Sequence, residues 1–337
     1  MKAEKLVPFG ANRGRPVLPP FPNSWYRVAF SNELPRGGVK SVSAFGRDLV
    51  VFRGEDGQLG ALDAYCPHLG AHLGMNGKVE GDSVVCPFHA WGFDKRGECT
   101  KIAYCDKIPK KARAEAFEVD ERNGMVFIHH HDRGEAPRTR VPEIPEVNDP
   151  DWLPYRSLTV PVRAHVQDMG ENAVDAPHFR VVHGTKEVPE ITRTEATDDA
   201  FVTRLVDHFD FFGKTRPVDV EISIYQPGFT TVRIGLFMKV LILTTTTAVS
   251  EDLTLQTHSI LVKRSRIPLL ARLFRWFFTR EIRHQLEQDR QVLDYKRYND
   301  VPVLCAEDGP VMKYRRWFSR FYSEPTRASR RRLDVVG

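Results

Sequence analysis

The chain has no hydrophobic run of membrane-spanning length. Its longest apolar stretch, residues 234–243, is broken by Lys239, well short of the roughly 18 residues that a crossing helix needs. The N-terminus also lacks the apolar centre of a secretory signal. Cysteine is scarce: five residues in a chain of 337 is too small and too odd a number for a disulfide framework. The compartment expected is therefore a reducing cytoplasm. Neither sign of charge dominates, since 49 Lys and Arg against 44 Asp and Glu leave a net charge of only +5. Nucleic-acid binding is accordingly not implied. No internal repeat is evident. What remains, 41% hydrophobic and 28% charged residues over 337 positions, is ordinary globular material with room for two domains.

Against this plain background one pair of segments stands out. Cys66-Pro67-His68-Leu69-Gly70-Ala71 is answered by Cys86-Pro87-Phe88-His89-Ala90-Trp91, which reads as C-x-H, seventeen residues, then C-x2-H. Two loops each offer one thiolate and one imidazole. A structural zinc site also takes two Cys and two His, but it usually pairs like with like, as C-x2-4-C and H-x3-5-H. One ligand of each kind per loop instead resembles a Rieske centre, in which one iron of a [2Fe–2S] cluster takes two Cys and the other two His. His72 falls outside the motif and reads as a loop histidine.

Taken in order, residues 1–23 form a Pro- and Gly-rich arm. Residues 24–135 alternate short strand patterns with Gly- and Asp-containing turns, an all-β unit closed by the Asn123-Gly124 hairpin signal. His129, His130 and His131 follow and read as a solvated strand end. Residues 136–157 carry five prolines among many acids, a linker composition. Residues 158–325 mix helical patterns, at about 163–182 and 268–298, with long strand-like stretches at 200–212, 217–225, 228–238, 240–250 and 253–263. That pattern predicts an antiparallel sheet wrapped around helices, and the chain as a whole is α+β. A basic tail, 326–337, includes Arg327, Arg330, Arg331 and Arg332.

The second informative stretch runs from Glu171 to Gly184 and contains Asp175, His178 and His183, spaced D-x2-H-x4-H. Two histidines and a carboxylate can bind Fe(II) on one face and leave positions open for dioxygen. Residues five apart on a regular helix diverge by about 140°. His178 and His183 can share a metal only if the helix is distorted, for which Pro177 supplies a reason. Taken alone, the pair is equally readable as two structural histidines.

Together the two motifs resemble the catalytic α-subunit of the Rieske non-haem iron oxygenases, over a span from about Trp25 to Tyr322. The resemblance implies an N-terminal Rieske domain, a helix-grip catalytic domain, and cluster ligands Cys66, His68, Cys86 and His89. It implies mononuclear Fe(II) held by His178, His183 and a downstream Asp, for which Asp289 matches better than Asp294. It casts Asp175 as a carboxylate that bridges an iron histidine to a cluster histidine of a neighbouring subunit, and hence implies a homotrimer. Electrons would come from NAD(P)H through a ferredoxin or flavin reductase. Ala71 and Phe88 stand where respiratory Rieske proteins carry disulfide cysteines, which argues against that branch.

Glu307-Asp308-Gly309-Pro310-Val311, the stretch Arg315 to Tyr322, and Ile108-Pro109 resemble the 3-ketosteroid 9α-hydroxylase and cholesterol 7-desaturase branch. An apolar polycyclic substrate, hydroxylated, desaturated or demethylated, is therefore expected; an aromatic or other small-ring substrate is the alternative, and a pure electron carrier a third. Phe209, Phe211, Phe212, Phe229, Phe237, Met238, Leu241 and Leu243 supply material for an apolar pocket, as they would for any core. Arg264, Arg266, Arg272, Arg275 and Arg280 alternate with Leu269, Leu270, Leu273, Phe274, Trp276, Phe277 and Phe278. Such a helix either packs its edge on the sheet or lies on a membrane surface.

Overall fold

The computed structural model describes residues 18–211 and 214–323. Residues 1–17 of the arm, Phe212 and the basic tail with its four arginines lie outside the described residues. The chain divides into two compact units, Trp25–Glu143 and a second comprising Ile144 onward with the segment up to Ser24.

In the first unit ten short strands follow one another: β1 (Ser24–Phe30), β2 (Val39–Ala44), β3 (Arg47–Arg53), β4 (Leu59–Asp63), β5 (Lys78–Glu80), β6 (Ser83–Val85), β7 (Gly92–Phe93), β8 (Cys99–Lys101), β9 (Val119–Arg122) and β10 (Met125–His130). They form sheets ordered β1-β10-β9, β2-β3-β4 and β5-β6-β7-β8. Asn123 and Gly124 both take positive φ, and Arg122 faces Met125 across the hairpin, the tight turn that Asn-Gly favours. Val50, Phe52, Leu62, Leu73, Val84 and Phe93 make a core that reaches Cys66 and Cys86. The histidines after the hairpin are not a solvated strand end. His129 packs against Trp25 with ring centroids 5.2 Å apart, His130 stacks on Phe45 at 4.7 Å, and burial pushes His129 down to about 4.

The second unit is a seven-stranded sheet ordered β11-β17-β16-β15-β14-β13-β12. Its strands are β11 (Arg156–Val162), β12 (Glu190–Ala196), β13 (Phe201–Phe211), β14 (Lys214–Gln226), β15 (Phe229–Gly235), β16 (Lys239–Ser250) and β17 (Leu253–Val262). Every pairing is antiparallel. From β12 to β17 the chain simply meanders, and β11 closes the order beside β17. A 26-residue helix, α3 (Pro268–Leu293), packs on β11 and β17. The helical pattern expected to run to about residue 298 thus stops at Leu293.

Two edge strands escaped the sequence pattern. In β12, Glu190, Arg193 and Glu195 leave no apolar alternation, as suits an edge protected by charge. In β11, Leu158, Val160 and Val162 do alternate with exposed neighbours, but Pro161 and the flanking proline-rich stretch mask them. The helix expected over about 163–182 is two: α1 (Val166–Asn172) and α2 (Pro177–Val181). Pro177 does not bend a continuous helix. It opens the second one at the first turn, where its missing N–H would be unpaired anyway.

Candidate iron–sulfur and mononuclear metal sites

The two Cys/His loops share one backbone design. In the first, the Cys66 N–H donates to the Ala71 carbonyl at 2.8 Å and the Gly70 N–H to the Cys66 carbonyl at 2.9 Å. In the second, the Cys86 N–H donates to the Trp91 carbonyl at 2.8 Å and the Ala90 N–H to the Cys86 carbonyl at 3.0 Å. Each loop therefore closes on itself, and the fifth residue of each takes positive φ: 75° at Gly70 and 55° at Ala90. Glycine adopts that conformation freely, whereas alanine is strained there by about 1–2 kcal/mol.

Both thiols are buried and unpaired. Burial, together with the neighbouring Cys86 thiol, pushes Cys66 up to about 11. The imidazoles of His68 and His89 meet edge-on with centroids 4.7 Å apart. His68 is held flat on Trp91, centroids 4.5 Å apart and planes within 6°, and the Trp91 Nε1–H donates to the Tyr104 hydroxyl at 3.0 Å. His68 Nδ1 is buried without a hydrogen-bond partner among the described residues. A buried polar nitrogen left so costs about 1–3 kcal/mol, and beside two close thiols and a second imidazole it is what a metal ligand would look like. The donor set thus fits a Rieske cluster. His72, by contrast, belongs to the loop itself: its Nδ1 accepts from the Gly74 N–H at 3.1 Å and its Nε2 lies 3.4 Å from the Ser41 hydroxyl.

The second group is assembled from distant segments. His178 sits in the first turn of α2 and His183 lies just beyond that helix's last residue, so the constraint of a regular helix never applies to the pair. Their rings approach to 5.1 Å between centroids. The ligating atoms of His178, His183 and Asp289 all lie within 4.8 Å of one another. Asp294 is not among them; it caps the end of α3 and accepts from the Arg163 N–H at 2.8 Å.

Both imidazoles are oriented from behind. His178 Nδ1 makes a short contact with the backbone carbonyl of Asp175, and a carbonyl can only accept. The proton therefore sits on Nδ1 and the Nε2 lone pair is free. His183 Nδ1 is 3.1 Å from the Gln288 side-chain oxygen and its Nε2 is 3.2 Å from an Asp289 carboxylate oxygen. Burial lowers His178, with Asp289 opposing. Burial also works against the charged form of His183, but the hydrogen bond and charge of Asp289 outweigh it and raise that histidine. Two nitrogen donors and one carboxylate converging on one point suit Fe(II).

Sequence reasoning had passed over Gln288 as a site residue, although its place beside Asp289 was the available signal. His258 was missed as well. It lies buried on β17, its Nδ1 3.1 Å from the Thr244 hydroxyl and its Nε2 without a partner among the described residues. Burial drives it down to about 4, with Asp289 opposing. Its only signal was a histidine in a strand of buried threonines.

Asp175 is half-buried, and burial raises its carboxyl, with Asp308 acting in the same direction and His178 opposing. It meets His178 through its backbone. Asp175 and Asp308 line a cavity of about 280 Å³ with His178, Asp289, Lys296 and Arg315. Val182, Val292, Leu293, Leu304 and Val311 also line it, so charged and apolar side chains share it. The segment that carries Asp308 and Gly309 packs here. Gly309 has φ 73°, and a Cβ on it would stand 2.6 Å from the Val174 carbonyl. Helix α4 (Val311–Phe318) sends Arg315 to Glu171 at 2.6 and 2.9 Å, while Lys296 reaches Asp168 at 2.6 Å. These ties fix α1, and with it the turn that carries Asp175.

Two Cys/His loops on an all-β unit, and a two-histidine, one-carboxylate group in a sheet-and-helix unit, define an oxygen-dependent oxidoreductase of the Rieske type. The comparisons sharpen that class. Residues 24–112 match the Rieske [2Fe-2S] domain, and residues 128–322 match the 3-ketosteroid 9α-hydroxylase C-terminal domain. The chain is 33% identical to cholesterol 7-desaturase nvd of Xenopus laevis, covering 91% of this chain and 73% of that one. It is 29% identical to a probable 3-ketosteroid-9-alpha-monooxygenase oxygenase component of Rhodococcus rhodochrous, covering 90% and 80%. The chain therefore belongs to the family of Rieske oxygenases that carry the 3-ketosteroid 9α-hydroxylase C-terminal domain. Among solved structures, NdmA of Pseudomonas putida CBB5 in its theobromine-bound QL mutant shares the fold, with TM-score 0.72 at 21% identity over 87% of this chain and 88% of that one. Apo dicamba monooxygenase does so with TM-score 0.68 at 18% identity, over 89% and 96%.

Proposed function

We propose that this protein is the oxygenase component that oxidises a steroid, sterol or similar polycyclic apolar substrate. Cys66, His68, Cys86 and His89 would hold the [2Fe–2S] cluster; His178, His183 and Asp289 would hold mononuclear Fe(II). The observation that carries the reading is the convergence of those last three side chains in a chain that also bears the paired Cys/His loops. When bound, the cluster would supply single electrons and the iron would supply the site for dioxygen chemistry; the chain's residues would orient and insulate both. Trp91 fixes the plane of His68, and Gln288 and the Asp175 carbonyl fix the two iron histidines.

Electrons would arrive from NAD(P)H through a ferredoxin or flavin reductase. Leu69, Phe88 and Tyr104, 66%, 62% and 61% exposed beside the loops, give that donor or a neighbouring subunit an apolar surface to meet. A homotrimer in which Asp175 couples one subunit's iron to the next subunit's cluster is part of the same reading. So is peripheral contact with a membrane, because a sterol partitions into lipid; among the described residues no helix is long and apolar enough to cross one. The test is turnover with a surrogate reductase under labelled dioxygen, offering cholesterol, 3-ketosteroids and aromatic acids in parallel. Oxidised sterol or steroid is the expected product. Product from aromatic acids alone would overturn the substrate class.

A further inference from the structure

The first half of α3 is apolar on two opposite sides. At 100° per residue, Ala271, Phe274 and Phe278 fall on the side that faces the protein; Ala271 is buried, and the rings of Phe274 and Phe278 lie 5.8 Å apart. Leu269, Leu270, Leu273, Trp276 and Phe277 fall on the other side, with exposures of 73%, 43%, 50%, 47% and 55%. Ile267, 61% exposed, extends the stripe beyond the helix start. Exposed apolar residues scattered singly need no explanation, but a continuous stripe of large ones marks a surface that is covered in use.

Its border says by what. Arg266, Arg272 and Arg280 are exposed around the stripe, and among the described residues none of them is paired with a carboxylate. Arg275, beside Arg156 and Arg272, is turned to the protein instead, where its guanidinium donates to the Pro154 carbonyl. An apolar stripe ringed by uncompensated arginines requires an apolar phase bounded by anions. A second copy meeting this face across a two-fold axis would bring the same arginines against each other, which like-charge repulsion disfavours. An anionic bilayer supplies both halves, acyl chains for the stripe and phosphates for the guanidinium groups.

We propose that the first half of α3 is a membrane seat, with its five apolar side chains set in the headgroup–acyl boundary and Arg266, Arg272 and Arg280 on lipid phosphates. This deepens the reading of a lipid-soluble substrate by naming the face and the lipid charge, and depends on that reading only for its purpose. The same helix carries Gln288 and Asp289. Asp289 lies sixteen residues past Leu273, about 24 Å along one rod, so the seat fixes how the metal group stands relative to the lipid surface.

The experiment is co-sedimentation of the holoprotein with vesicles of phosphatidylcholine alone or of phosphatidylcholine mixed with anionic phosphatidylglycerol. Wild type is expected in the pellet with anionic vesicles and to be released by salt. The triple variant Leu273→Ser, Trp276→Ser, Phe277→Ser should lose at least about tenfold in partitioning. Because that variant could lose its fold, the pair Arg272→Gln, Arg280→Gln provides the second measurement. It should lose about thirtyfold on anionic vesicles and nothing on neutral ones. Both variants should keep wild-type visible spectra and turn over substrate presented in cyclodextrin. Wild type that stays in the supernatant with every vesicle overturns the seat, whatever the substrate proves to be. A triple variant that changes only the oligomeric mass overturns it in favour of a contact between copies. Vesicle binding without any sterol turnover would instead leave the seat standing and remove the substrate reading.

Discussion

The cluster loops carry their own geometry within two six-residue segments, each closed by its own backbone hydrogen bonds, whereas the mononuclear group forms only where the fold brings His178 and His183 to Asp289, with Gln288 meeting His183 across 105 residues of chain. The first is local and rigid, set in the core of an all-β unit; the second depends on α1, α2, α3 and α4 holding one another. Damage to the first should stay local. Damage to the second can come from residues that touch no metal.

The largest expected effects separate the two sites outright. Asp289→Ala should abolish turnover and mononuclear iron while leaving the cluster's visible spectrum intact, and Cys86→Ala should abolish turnover too but by losing the spectrum while retaining one iron per chain. If either variant loses both, the sites are not independent. Next in size, Gln288→Ala leaves every proposed ligand in place but frees His183, and should weaken Fe(II) affinity roughly tenfold to a hundredfold, read by titration with Fe(II). An unchanged affinity would mean that Gln288 only packs.

Protonation gives a third, smaller contrast. His258 has a folded pKa of about 4 against an ordinary 6.5. Between those values the unfolded chain takes a proton that the folded chain refuses, so stability falls as pH drops from about 6.5 to about 4. The loss is on the order of 3 kcal/mol. His258→Gln should lessen that slope in urea unfolding of the metal-free protein without abolishing it, because His129, also held at about 4, contributes over the same range. The smallest effects lie in the cluster loops. Gly70→Ala meets nothing within 4 Å, so only its positive φ opposes the change, by about 1 kcal/mol, while Ala90→Gly should relieve a similar strain. Equal and opposite shifts in melting temperature would bear out the shared loop design.

The same contrast explains what was legible in the sequence. Cys66, His68, Cys86 and His89 stood out because spacing alone encodes a self-closing loop. The strands β13 to β17 were legible because β-branched and apolar residues persist over strand lengths, alternating in β14 and running continuously buried in β16. The mononuclear group was half legible: Asp175, His178 and His183 sit in one segment, but Asp289 was preferred to Asp294 only through the family resemblance, and it is tertiary placement that brings the former to the histidines and the latter to the Arg163 backbone. The break between α1 and α2 was hidden because the apolar pattern runs through it. The Arg315–Glu171 tie was hidden because a buried ion pair looks like two surface charges until the fold brings them together.

The most direct test of the account is the iron and acid-labile sulfide content per chain of anaerobically purified protein. Three irons and two sulfides, falling to two irons and two sulfides in Asp289→Ala, is the predicted result. Two irons and two sulfides in wild type, unchanged after Fe(II) reconstitution, would contradict it and leave a protein with a cluster and no site for oxygen chemistry.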